Sequence, residues 1–282
     1  MTNHDQDERR KGWDTTAGAW DAWFDTIEKA TKPVSERMVA RAGIGPGDRV
    51  LDVATGTGEP AVTAARRVAP DGHVVATDIS PSMIAGAERR AAKLGVANIT
   101  FRTAAAEHLD DPPASFDAAL CRWGLMFMPD IDGALRHMRG LIRDGGRFAA
   151  AAWAEPSEAP TLGIERGVLA RYFDDGHFAH GIDHLNAFRF AAPGLLETVM
   201  SDAGFRDVSC ERVTVVYEFP SAETYTRFRR EVSSTGAALA KRHPEDVVEA
   251  AWDAVAEAAG RHADAEGRIR MENIALCAVG TR

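Results

Sequence analysis

Cysteine is scarce in this chain: Cys121, Cys210 and Cys277 are widely spaced and odd in number among 282 residues. They form no CxxC or Cys/His pattern with metal-ligand spacing, so the reading is reduced thiols, no metal and a cytoplasmic setting. A basic surplus is missing too. The net charge of -9 disfavours nucleic acid as a partner, because binding such a polyanion needs clustered Lys and Arg to release counterions. Short pairs such as Arg229-Arg230 read as a solvated helix face. No apolar run reaches bilayer length; the longest, near residues 148–154, is far too short. Residues 1–11 are polar and charged and lack the apolar core of a signal peptide. There is no internal repeat and no low-complexity tract.

What remains is an ordinary globular composition with strong local patterning. Residues 13–42 read as helical, with Trp20, Trp23, Phe24 and Ile27 recurring on one face. After the turn "GIGPGDR", strands and helices alternate. Strands are expected at 49–53, at "DGHVVATD" ending on Asp78, and at 98–102, 116–121 and 147–153. Helices are expected from Pro60 to about 68, from Ser80-Pro81 (cap and first turn) to the stop at Gly95, and over 132–142 before Gly145-Gly146. Further on, 195–203 reads as a helix, 208–219 as an alternating strand, 222–263 as two or three helices and 270–280 as a last strand. Nearly continuous apolar strands are the mark of parallel strands covered on both faces. The fold class is therefore α/β: a doubly wound, mostly parallel, seven-stranded Rossmann-like sheet with one antiparallel strand and a helical cap. The expected organisation is a flexible tail (1–12), a ligand-binding core with N-terminal helices (13–154), a cap insertion (155–192), and a segment (193–282) that completes the sheet and carries a helical insertion at 222–263.

The stretch "LDVATGTGEPAV" puts Gly56 and Gly58 at a strand-to-helix turn. Glycine there permits positive φ and close approach of a ligand to backbone N–H groups. Gly56, Gly58 and Ala61 followed by Asp78 also fit a dinucleotide fingerprint. Asp52, standing before the glycines, would repel a pyrophosphate but suits a ligand with a positive charge and an amino group, as in S-adenosylmethionine. Asp78 can accept from both ribose hydroxyls, while Ala106 and Glu107 in "TAAAEHL" can read an adenine edge. Three successive strand ends thus offer methionine, ribose and adenine contacts in order.

The stretches "VLDVATGTGEPAV", "VVATDISPSMI", "AAAEHL", "FDAALCRWGLMFMPD" and "LIRDGGRF" resemble class I S-adenosylmethionine-dependent methyltransferases. The closest likeness is to the ubiquinone/menaquinone-biosynthesis C-methyltransferases and actinobacterial small-molecule methyltransferases. The resemblance covers residues 13–154 and is only architectural beyond. It implies that the Asp52–Gly58 loop, with Ala54, Gly56 and Thr57, wraps the methionine part. It further implies that Asp78 binds ribose, Ile79 and Met83 flank adenine, and Ala106 and Glu107 meet its edge. In the place of an aromatic-Asp pair of the family stands Trp20-Asp21, whose indole N–H could reach the methionine carboxylate. Arg122 is expected to meet cofactor or substrate, and Trp123, Met126 and Phe127 to line the acceptor pocket.

His177, His180 and His184 are the candidates for a catalytic base. Their spacing could suggest a metal, but Gly176 and Gly181 interrupt a helix there, and the rival reading is surface histidines. His137 reads as structural and Cys121 as a small buried apolar residue. Tyr172, Phe173, Phe178, Phe188 and Phe190 in the cap suggest a flat, apolar acceptor, unless they pack among themselves. The function expected is methyl transfer to an O or C atom of an apolar, aromatic or quinol-like small molecule. The alternatives are a non-methylating reaction such as cyclisation by a cofactor-binding relative, and more distantly a NAD-linked oxidoreductase. The expected partner is a small-molecule methyl acceptor, with a homodimer left open.

Overall fold

The structure, a computed structural model, describes residues 3–173, 186–233, 236, 239 and 242–282. The chain opens with two helices, α1 (Asn3–Ala22) and α2 (Phe24–Arg41). There follow β1 (Arg49–Val53), α3 (Ala61–Val68), β2 (His73–Asp78), α4 (Pro81–Lys93) and β3 (Ile99–Thr103). Then come β4 (Phe116–Arg122), α5 (Ile131–Leu141), β5 (Ile142–Trp153) and α6 (Pro160–Tyr172). The C-terminal part comprises α7 (Leu195–Asp202), β6 (Arg206–Phe219), α8 (Ala222–Val232), α9 (Glu245–Gly260) and β7 (Ile269–Thr281).

The seven strands form one sheet in the order β3-β2-β1-β4-β5-β7-β6. Pairings from β3 to β5 are parallel, and β7 runs antiparallel to both β5 and β6. The expected single antiparallel strand is thus β7. β1 and β2 are buried along nearly their whole length, as strands covered on both faces must be. The strand order reverses between β1 and β4, which opens a crevice at their carboxyl ends where such sheets bind ligands.

Local signals act as expected at α4. Ser80 Oγ accepts from Met83 N–H (3.1 Å), and Gly95 takes φ +67° just past the helix end. Two expectations need correction. Residues 3–12, read as a flexible tail, are the first half of α1. Its Asp14 explains how α1 is held, accepting from Ser80 Oγ (2.5 Å) and Ser82 N–H (3.2 Å) at the start of α4. The helical stretch read over 13–42 divides into two helices at Trp23, whose φ −91° and ψ 6° leave the helical basin. Its indole N–H reaches across to Glu231 (2.5 Å) and its ring meets Phe228 edge-on. Gly145 and Gly146 do not end a helix but lie within β5, which starts at Ile142. No helix among the described residues is long and apolar enough to cross a membrane.

Candidate active site

One cavity runs along the carboxyl ends of β1 to β4 and on beneath α1, α2, α6 and α8. Its first wall is the turn after β1. Ala54 (φ +58°) and Gly56 (φ +55°) both take left-handed backbone. The Gly56 N–H thereby points at β2 and donates to Asp78 Oδ2 (2.9 Å), while Ser80 N–H donates to Oδ1 (2.9 Å). Burial pushes the Asp78 carboxyl up to about 6, with those two N–H groups pulling the other way. Each oxygen keeps a lone pair for a further donor.

Beside Asp78 lie Ile79 and Met83, then Ala106 and Glu107 beyond β3. Glu107 faces Arg9 of α1 at 3.9 Å. The middle of the cavity holds Thr57, Glu59, Arg122 and Trp20. Arg122 Nη1 donates to Ser35 Oγ (2.8 Å), Thr31 Oγ1 (3.0 Å) and Glu28 Oε2 (3.3 Å) of α2. The far end is aromatic. Trp123 stacks on Trp153 at 4.6 Å and 14°, and Trp13, Met126, Phe127, Leu162, Tyr217 and Phe228 also line it.

Ten of the twelve residues expected at the cofactor thus share one cavity wall, together with Trp123, Met126 and Phe127. Two do not reach it. Asp52 is fully buried behind the turn, and neither of its oxygens has a hydrogen-bond partner among the described residues. Burial pushes its carboxyl up to about 7, against the pull of the neighbouring Thr55 side chain and then of the Arg122 charge. Gly58 faces α4: a Cβ there would stand 3.3 Å from the Ala87 Cβ, at φ +109°. Its glycine is needed for helix packing, whereas a Cβ on Gly56 would meet nothing within 4 Å.

Trp20 lines the cavity, but its N–H is not available to a carboxylate because it donates to the Val232 carbonyl (3.2 Å). Its neighbour Asp21 is held by Arg89 (2.9 Å) and Arg90 (3.1 Å). Phe173, Phe188 and Phe190 are packed in the core and Tyr172 is exposed, so these cap aromatics do not form the acceptor wall. His177, His180, His184 and Phe178 lie outside the described residues. His137 is structural as expected, its Nε2 lying 2.8 Å from the Leu109 carbonyl. Cys121 is buried, and burial pushes its thiol up to about 12.

The Arg229-Arg230 pair corrects another expectation. Only Arg230 lies on the solvated face, paired with Glu249. Arg229 lines the cavity and is bound to the buried Glu165 (Nε–Oε2 2.7 Å). The sequence did carry a signal for this. Tyr225, Phe228 and Val232 form the buried stripe of α8, and Arg229 falls within that stripe at helical spacing. Arg9, Thr31, Glu59, Tyr217 and Ser233 also line the cavity and were missed by sequence reasoning, as were Glu28 and Glu165, which hold Arg122 and Arg229; no shared motif joins them.

A buried, unpartnered acid behind a glycine turn, a carboxylate with spare lone pairs at the β2 end and an adjoining apolar recess fit a nucleoside joined to a positively charged centre. Comparison with known proteins agrees. Residues 44–165 match the family model described as a methyltransferase domain. The ubiquinone/menaquinone biosynthesis C-methyltransferase UbiE of Pasteurella multocida is 33% identical over 209 residues, covering 69% of this chain and 76% of that protein. YcgJ of Bacillus subtilis shares the fold with TM-score 0.59 at 18% identity, covering 88% of this chain and 97% of its own. The cyclase SpnF does so with TM-score 0.55 at 18% identity, covering 93% of each chain. The chain therefore belongs to the class I S-adenosylmethionine-dependent methyltransferases, near the UbiE C-methyltransferase branch.

Proposed function

We propose that this methyltransferase acts on a carbon or oxygen atom of an apolar, aromatic or quinol-like small molecule. The observation that carries the reading is the continuity of one cavity, from Asp78 and Glu107 past the Ala54–Thr57 turn to the chamber of Trp123, Trp153 and Phe228. S-adenosylmethionine, when bound, supplies an electrophilic methyl carbon with its own leaving group. Asp78 holds the ribose hydroxyls, Ile79 and Met83 flank the adenine, and Ala106 and Glu107 take its edge. Gly56, Thr57 and Arg122 hold the methionine part, and Asp52 acts through its charge from behind the turn. Trp20 contributes its ring face.

The remaining work of the protein is positioning the acceptor and keeping water out. Trp123 and Trp153, stacked on each other, offer a flat wall to a flat molecule. Leu162 and Ala187, from the segment proposed as the cap, and Phe228 and Val232, from the helical insertion, close the chamber. The net charge of -9 supports a small neutral or weakly acidic acceptor rather than a polyanion. The histidines at 177, 180 and 184 stay proposed as proton acceptors.

Incubation with isotopically methyl-labelled S-adenosylmethionine and a panel of phenols and quinols tests this. One S-adenosylhomocysteine per labelled, methylated ring product is expected. Conversion of a substrate without label or S-adenosylhomocysteine would replace this reading with a non-methylating one. The fold shared with SpnF at 18% identity does not carry that activity across.

A further inference from the structure

Most of the acceptor chamber is apolar, its polar exceptions including the Trp123 indole N–H, which has no hydrogen-bond partner among the described residues, Ser233 and Arg229. Arg229 of α8, with a side chain 12% exposed, lines it. Glu165 of α6 takes the Arg229 Nε and Nη2, at 2.7 and 2.6 Å. The other Glu165 oxygen accepts from Ser233 Oγ (2.5 Å). No further hydrogen bond of Arg229 is found among the described residues, which leaves Nη1 without an acceptor. On the neighbouring β6, Tyr217 also lines the chamber at 5% exposure. Its hydroxyl has no hydrogen-bond partner among the described residues either. Burial pushes that phenol up to about 12, against the pull of the Arg229 and Arg122 charges, so it stays a donor.

A buried Arg–Glu pair is a poor way to add stability, because desolvating both charges offsets their attraction. What the pair provides here is a neutralised guanidinium fixed by a bonded edge, with a second edge free to donate. Charge-assisted donors of this kind are strong and directional. Tyr217 adds a second donor from the next element.

We infer that Arg229 and the Tyr217 hydroxyl together bind an oxygen atom of the methyl acceptor, so that these two residues select a ring bearing a hydroxyl or another negatively polarised oxygen over a pure hydrocarbon. The inference rests on the reading of the aromatic chamber as the acceptor site. It assigns a specificity-determining role to two residues that lie beyond the part of the chain matched by the family model (44–165). A hydrocarbon in the same chamber leaves both donors unpaired, and a site built for an oxygen rejects an analogue lacking it.

The test uses 2-naphthol and naphthalene as probes, binding to the full chain saturated with S-adenosylhomocysteine, by equilibrium dialysis. In the unaltered protein 2-naphthol is expected to bind at least about tenfold more tightly, the lower range for a hydrogen bond to a charged group. Tyr217→Phe, which removes only the hydroxyl, should shrink that ratio severalfold. Arg229→Gln combined with Glu165→Gln, which removes both charges together, should bring it close to one while naphthalene binding is kept. A ratio near one in the unaltered protein, or no binding of 2-naphthol, overturns the inference. So does a ratio unchanged in Tyr217→Phe, which decides the matter even if the double variant fails to fold. Labelled methyl transfer separates the two readings. Naphthol bound with the expected ratio but never methylated counts against the proposed acceptor class alone. Ring methylation with a ratio indifferent to both variants counts against Arg229 and Tyr217 alone.

Discussion

The Gly56 N–H donates to Asp78 Oδ2 at 2.9 Å, so the turn after β1 and the acid at the end of β2 hold each other in place. The same carboxylate caps the approach to α4 through Ser80 N–H. Replacing it therefore has two consequences, one for the ligand and one for the turn. Asp78→Ala is expected to weaken S-adenosylhomocysteine binding by roughly 1.5–3 kcal/mol, the worth of hydrogen bonds to a charged group. Isothermal titration checks this, and an unchanged affinity would take Asp78 out of the ribose site.

Gly56 and Gly58 should separate in a different way. Both have positive φ, where alanine costs roughly 1–2 kcal/mol, but only Gly58 lies against a neighbour, the Ala87 Cβ at 3.3 Å. Gly58→Ala should lower stability more than Gly56→Ala in urea melts. Gly56→Ala places its methyl in open space on the cavity wall and should cost more in cofactor affinity than in stability. The reverse order in both measurements would contradict this assignment of the two glycines.

Trp123 holds φ +56°, a strained backbone for a bulky side chain. Its ring, stacked on Trp153, is the wall proposed for the acceptor. Trp123→Ala should depress turnover at least about tenfold through lost positioning, with S-adenosylhomocysteine affinity nearly unchanged. Trp123→Gly should be more stable than Trp123→Ala by about 1 kcal/mol, since only glycine takes this φ freely. Turnover, cofactor titration and urea melts on both variants read the three quantities apart.

Two buried carboxyls, Asp52 and Asp78, and the half-buried Glu28 set a pH dependence. Asp52 and Glu28 stand at about 7 and Asp78 at about 6, burial being the largest cause for each. All are raised above their unfolded values, so the ligand-free protein binds more protons than its unfolded chain. The stabilisation this gives is fully present below about pH 4 and is lost as pH rises through 6 to 7. Ligand-free melting temperature should carry a downward contribution across that window. A cationic cofactor favours the ionised carboxylates, so its binding should release protons and tighten from pH 6 to 8. S-adenosylhomocysteine, lacking the sulfonium charge, should show a shallower rise. Titration in two buffers of different ionisation enthalpy counts the protons; uptake instead of release would refute the charge argument.

Much of the cofactor end is written in adjacent residues. A glycine pair after an apolar strand, an acid closing the next strand and a Ser-Pro helix start are local devices, set by φ limits and unpaired N–H groups within a few residues. They hold wherever the strands are placed side by side. Asp52 shows the limit even here: the sequence marks it as an acid at a strand end, but only packing decides that it lies behind the turn, with neither oxygen partnered.

The acceptor end is different in kind. Its wall is assembled from α1, α2, β4, β5, α6, β6 and α8, which meet only when the sheet has formed. The Trp20 indole N–H is taken by Val232, 212 positions away, and no local pattern announces such a contact. Arg229 beside Arg230 looks like two solvated charges until helical spacing is combined with knowledge of which face of α8 is covered. By itself the sequence determined the strand–helix alternation, the turn chemistry and the family, because hydrophobic period and backbone restriction act over short spans. Tertiary structure alone decided which charges are buried and which donors face the chamber, because desolvation and pairing depend on neighbours that the chain brings together from afar.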